Sequence, residues 1–133
     1  LALTAAETGH LVFGTLHTSS AVKTIDRIID VFPAGEQGMV RAMLSESLQG
    51  VVAQRLLKKK GGGRCAAYEI LVGTGAIRNL IREAKVPQIY GMLQTGREHG
   101  MTTMDQSLQE LVKRNVIDVE DARPLAVDPS KFI

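Results

Sequence analysis

Tryptophan is absent from the 133 residues, and tyrosine and phenylalanine together make up only 4% of them. A surface that stacks nucleic-acid bases on rings is therefore excluded. The net charge of +2 gives no strong field for nucleic acid or for an anionic membrane. Cys65 is the single cysteine, which excludes a disulfide framework and a cysteine-based metal cage, and fits a reducing cytoplasm. No apolar run approaches the roughly 20 residues that a membrane-spanning helix needs. The first residues, LALTAAETGH, carry neither an initiating methionine nor a basic segment, so they are not expected to be a signal peptide and read as a chain entered in its middle. Internal repeats and low-complexity blocks are missing as well.

What is present is a hydrophobic content of 44%, enough for a packed core in a unit about the size of one domain. Residues 2–8 read as the end of a helix stopped by Gly9. Residues 11–16, LVFGTL, form a continuous apolar run that predicts a strand buried on both faces of a parallel or mixed sheet. Thr18, Ser19 and Ser20 then offer an N-cap. The following AVKTIDRIIDVF places Val22, Ile25, Ile28, Ile29 and Phe32 on one helical face, and Pro33 ends it. A longer helix is expected from Glu36, with Val40, Met43, Leu44, Leu48, Val51 and Val52 as its stripe. QRLLKKKGGGRCAAYEIL reads as a β-hairpin turning at Gly61-Gly62-Gly63, with Lys58, Lys59 and Lys60 as its solvated tip.

After Gly73 helical patterns dominate, broken at Pro87, Gly96, Gly100 and Asn115. Thr103 with Gln106 predicts a capping box, Asp118 a cap for a last short helix, and DPSKFI a loose tail. Residues 1–72 are thus expected to form the strand, two helices and hairpin of an α/β unit, and residues 73–133 a helical region.

Two histidines bracket the apolar run. If residues 10–17 are extended, seven steps separate His10 and His17 by roughly 23 Å and turn them to opposite faces. They cannot then converge on one metal ion. In open α/β sheets, ligands bind beyond the carboxyl ends of strands. His17 lies at that end, just before a helix N-terminus where backbone N–H groups favour anions. It is the better candidate for contacting a phosphate, against the blander alternative that both histidines are structural.

The stretch AAETGHLVFGTLHTSSA resembles the His box of the secretion-type ATPases that power type IV pili and type II secretion. AIRNLIRE, residues 76–83, resembles the signature of the family's pilus-retraction branch, as does KTIDRIIDVFP together with the lack of a four-cysteine insert. The resemblance runs from about residue 2 to residue 118. It implies the C-terminal half of a RecA-like P-loop ATPase core followed by a helical subdomain. It also implies that His17 monitors the γ-phosphate. His10 shares the box and is expected to hold the strand's start or to reach a neighbouring subunit. Thr18, Arg55 and Glu7 are candidates for nucleotide or interface contact. Arg55 lies in a Gln-Arg-Leu triplet placed where the long helix should enter the hairpin.

The chain departs from the family pattern in lacking G-x-x-x-x-G-K-[ST]. Lys23-Thr24 follow Ala21-Val22, Gly61-Gly62-Gly63 lead to Arg64, and no acidic Walker B strand occurs. ATP and Mg²⁺ are therefore expected to be held mainly by other parts of the protein, and this chain alone is expected to be inactive.

Read from its residues, AIRNLIRE is an amphipathic helix that buries Ile77, Leu80 and Ile81 and presents Arg78 and Arg82 one turn apart, inviting a partner acid. The resemblance implies that Ala76, Ile77, Arg78, Asn79, Leu80, Ile81, Arg82 and Glu83 couple the motor to retraction. They would do so by transmitting motion from the core or by docking on a neighbour. Expected partners are other copies of the same protein, as a hexamer, and an inner-membrane platform protein, at the cytoplasmic face of the membrane. A pilus-assembly or type II secretion ATPase, and a non-catalytic interaction module, are the two alternatives.

Overall fold

The computed structural model describes residues 1–133. Its helices are α1 (Ala2–Glu7), α2 (Ala21–Asp30), α3 (Gln37–Ser47), α4 (Gly75–Arg82), α5 (Ile89–Thr95), α6 (Met104–Lys113) and α7 (Val119–Ala122). Strands β1 (Gly50–Lys58) and β2 (Arg64–Val72) form an antiparallel hairpin between α3 and α4.

Local sequence accounts for most of these boundaries. Gly9 ends α1 region backbone at φ 96°, a conformation that glycine adopts without a Cβ penalty. Ser20 caps α2, its Oγ accepting the Lys23 N–H at 3.0 Å. The face expected of α2 points inward: Ala21, Ile25 and Ile29 are buried, and Val22, Ile28 and Phe32 pack on the same cluster. The hairpin runs in register from Gly50 opposite Val72 to Lys58 opposite Arg64, and Gly61, Gly62 and Gly63 all take positive φ in its turn. Thr103 and Gln106 form the expected capping box at α6.

Three expectations are corrected. The long helix stops at Ser47, and Leu48 is already extended at ψ 122°. Val51 and Val52 belong to β1, where β-branched side chains fit a pleated surface. Residues 11–16 form no strand: their backbone makes no hydrogen bond, and Leu11 and Phe13 are 78% and 89% exposed. A strand needs a neighbour, and the only sheet in the chain is the two-stranded hairpin, with which this run does not pair. The last residues are not a loose tail. Phe132 is buried against α6 and α7, its carbonyl accepts Arg123 Nε at 2.7 Å, and buried Asp105 receives the N–H groups of Val127 and Asp128 at 2.8 and 3.0 Å. The lysine tip is exposed as expected, and it is fastened at one point, where Lys60 Nζ contacts Asn115 Oδ1 and its N–H donates to the Val116 carbonyl at 2.9 Å.

Two apolar clusters result. One joins α2, α3, α4 and α5 to Leu71 at the end of β2. The other joins α6, α7 and Phe132 to Leu57 and Ala67 at the hairpin's far half. Ala67, Glu69 and Leu71 alternate along one buried face of β2, so a carboxylate lies between the two clusters. No helix is long and apolar enough to cross a membrane.

Candidate functional site

His17 and Thr18 line an open cleft of about 490 Å³ together with Ser19, Lys23, Asp26 and Arg27. The cleft runs along the length of α2, from Lys23 to Asp30 and Val31, and its loop folds back on that helix. Thr18 Oγ1 bonds Thr24 Oγ1, Thr24 Oγ1 donates to the Ser20 carbonyl at 2.8 Å, and Arg27 Nη1 donates to the His17 carbonyl at 3.2 Å. The His17 imidazole itself is exposed and has no hydrogen-bond partner in the chain. It is free to donate to a ligand. The walls carry both signs: Lys23 and Arg27 face Asp26 and Asp30. Burial first, and then the Asp30 charge, push the Asp26 carboxyl above its ordinary range, while Arg41 opposes them.

The N-terminus of α2, which the sequence offers to an outside anion, is already occupied by an inside one. The Ala21 N–H donates to Glu69 Oε2 at 2.7 Å, and the Lys23 N–H is taken by Ser20. Any phosphate here is therefore met by side chains rather than by those two amides. Glu69 was missed by the sequence reading, although a charged residue at an inward position between Ala67 and Leu71 is a visible break in the strand's alternation. Arg27 was missed too, because nothing local links it to a carbonyl ten positions back.

The remaining candidates lie apart. His10 Nδ1 is 3.2 Å from both the Ala5 carbonyl and Thr8 Oγ1, and so closes the end of α1 rather than facing the cleft. Glu7 is exposed on the last turn of α1. Arg55 is not at a helix end; it is half-buried in mid β1, on the face of Ala53 and Leu57. No group of three His, Cys, Asp or Glu side chains that could hold a metal comes together.

AIRNLIRE is α4, apart from Glu83 just beyond it. Thr74 caps it, and Ile77 and Ile81 are wholly buried. The two arginines differ. Arg82 meets the acid its spacing invites, Glu46, at 3.0 Å. Arg78 is instead a clamp: Nε donates to the Gly73 carbonyl at 2.8 Å, Nη1 to Glu46 at 2.6 Å and Nη2 to Leu48 at 3.1 Å. These last carbonyls of α3 have no helical partner, and the guanidinium's rigid fork satisfies them. Arg78→Ala is expected to cost the full-length protein about 1.5–3 kcal/mol, the range for hydrogen bonds to a charged group. Denaturant unfolding checks this: the midpoint should fall with the slope unchanged.

Residues 1–123 match the family model described as Type II/IV secretion system protein, and the chain belongs to that family. It is 64% identical over 132 residues to the type IV pilus retractation ATPase PilT of Pseudomonas aeruginosa, covering 99% of this chain and 38% of that protein. It is 65% identical over 124 residues to a twitching motility protein of Neisseria gonorrhoeae, covering 92% and 33%. Among solved structures, the pilus retraction motor PilT with bound ADP matches with a TM-score of 0.87 at 53% identity, over 98% of this chain and 36% of that one. The chain thus spans little more than a third of the length of these relatives. The α/β expectation and the secretion-ATPase resemblance are both borne out.

Proposed function

We propose that the protein to which this chain belongs is a motor ATPase that hydrolyses ATP to drive type IV pilus retraction. The observation that carries this reading is the near-complete alignment, at 64% identity, to a protein named for that activity. Within such a motor the His17 cleft takes the terminal phosphate. An exposed imidazole with no internal partner donates to a phosphate oxygen, and Thr18, Lys23 and Arg27 flank it. Mg²⁺ would neutralise phosphate charge from residues elsewhere in the protein.

Residues 11–16, which form no strand within this chain, would become one when another part of the protein pairs with them, which accounts for the unpaired backbone beneath exposed Leu11 and Phe13. His10 holds the start of that strand, and Glu7 and Arg55 are interface candidates. The outward face of the AIRNLIRE segment, Ala76, Asn79, Arg82 and Glu83, couples to retraction, while Arg78 holds its base. The division near residue 72 separates nucleotide-facing from coupling functions. Partners are further copies in a hexameric ring and the pilus machine's inner-membrane platform protein, at the cytoplasmic side.

The test is to purify the full-length protein, measure ATP hydrolysis, and express it in cells that lack their own retraction ATPase. Hydrolysis with restored twitching is expected. Hydrolysis that instead rescues pilus assembly or type II secretion would favour the related ATPases. A full-length protein that binds no nucleotide would leave an interaction module.

A further inference from the structure

The carboxylate between the two apolar clusters has a specific position. Glu69 is 1% exposed, and it is the one buried acid that joins two helices at their N-termini. Its Oε2 accepts the N–H of Ala21, the first residue of α2, at 2.7 Å. Its Oε1 accepts the N–H of Met104, the first residue of α6, at 3.2 Å. Each helix end presents a partial positive charge and unpaired amides, so one carboxylate neutralises both. Across the hairpin stands Ala53, small enough to leave the side chain room.

Beyond the two bonds by which the Val31 and Phe32 N–H groups continue the end of α2, the bond to Ala21 is the one hydrogen bond that ties residues 17–30 to another part of the chain. The side-chain bonds of Thr18, Ser20, Thr24 and Arg27 are all internal to that segment. The His17 loop and α2 therefore form one unit, fixed through apolar packing and through Glu69. On its other side Glu69 holds α6, whose next residue, Asp105, holds the backbone of Val127 and Asp128. Burial raises the Tyr90 phenol, and the charges of Asp105 and, more weakly, Glu69 raise it further, as expected of carboxylates gathered at this junction.

We propose that Glu69 is the positioning residue that sets the aim of His17 and links it to the C-terminal helices. This rests on the reading of His17 as the phosphate contact. Glu69 touches no reacting atom; it fixes the end of the helix from which the His17 loop springs. Glutamine has nearly the same shape but turns an amide donor toward one of the two N–H groups, so one helix end is released. Misplacement of a catalytic contact by an ångström is worth up to about a hundredfold in rate.

The test is a double-mutant cycle in the full-length protein, with kcat for ATP hydrolysis and nucleotide affinity measured separately. Glu69→Gln should lower kcat about tenfold or more and leave nucleotide affinity at the parent value. In the His17→Ala background it should lower kcat no further, because it acts through a side chain already gone. Effects that multiply, or an unaffected Glu69→Gln beside a slow His17→Ala, would overturn the inference alone. A parent-like rate for His17→Ala would overturn the phosphate reading and this inference with it. If Glu69→Gln fails to fold, amide exchange in the unmodified protein decides. The Ala21 and Met104 amides should change protection together when an ATP analogue replaces ADP; a change at one alone would contradict the link.

Discussion

Replacing Gly73 by alanine is expected to destabilise the protein by about 4 kcal/mol, near the upper end for single substitutions. Gly73 stands between β2 and α4, where the chain crosses the link from α3 to β1. A Cβ there would lie 2.2 Å from the Leu48 carbonyl oxygen, 3.2 Å from its carbon and 3.3 Å from the Gln49 oxygen. All three are backbone atoms, so no rotamer change relieves the contact. The crossing is also bonded on both sides. The Gly73 N–H donates to Gln49 at 2.9 Å, and its carbonyl accepts Arg78 Nε at 2.8 Å. Moving either segment away to admit a methyl group breaks those bonds and draws Ile77 and Ile81 of α4 out of the core. Chemical unfolding of Gly73→Ala should show a large drop in midpoint; an unchanged midpoint would show that this crossing is looser than described.

His17→Ala should do the opposite: slow turnover sharply without touching the fold. Its imidazole is exposed and unbonded within the chain, and only its backbone carbonyl is used, by Arg27. Stability should stay within about 0.5 kcal/mol of the parent, as for a surface change away from any packing. In the full-length protein, on the proposed function, the lost donor is expected to lower kcat for ATP hydrolysis by about 10²–10³, the range for removing one positioned donor to developing charge. Nucleotide affinity should change far less, because one side-chain donor is a small part of what holds a nucleotide and this chain carries no G-x-x-x-x-G-K-[ST] loop. Steady-state kinetics with a parallel ADP-binding titration separates the two quantities.

Much of the fold was legible where local chemistry decides it. Ser20, Thr103 with Gln106, and the three hairpin glycines each fix their element through one cap or one turn, within a few residues of sequence. The errors came from contacts that sequence spacing does not reveal. Leu48, Val51 and Val52 continue the 3–4 spacing of α3, yet the chain has already turned extended at Leu48 and serves the period of two of β1. Phe132 follows a polar DPSK stretch, and what draws it inward is remote: the apolar cluster of α6 and α7, the Arg123 guanidinium on its carbonyl, and the Asp105 carboxylate on the backbone of Val127 and Asp128. The apolar run at 11–16 has the composition of a buried strand, but the one sheet within the chain is the hairpin, with which it does not pair, so it lies exposed.

The same division holds for the site. His17 was recognisable from its place after an apolar run and before a cap. Arg78 was not recognisable as a clamp, because its three acceptors come from two other segments. Glu69 was hidden for the same reason: its partners stand 48 positions before it and 35 after it.

The most direct test is a structure of the full-length protein with a non-hydrolysable ATP analogue bound. A ring nitrogen of His17 should lie about 3 Å from an oxygen of the terminal phosphate, with residues 11–16 hydrogen-bonded into a sheet. An imidazole pointing into solvent away from the nucleotide, with that run still unpaired, would contradict the account.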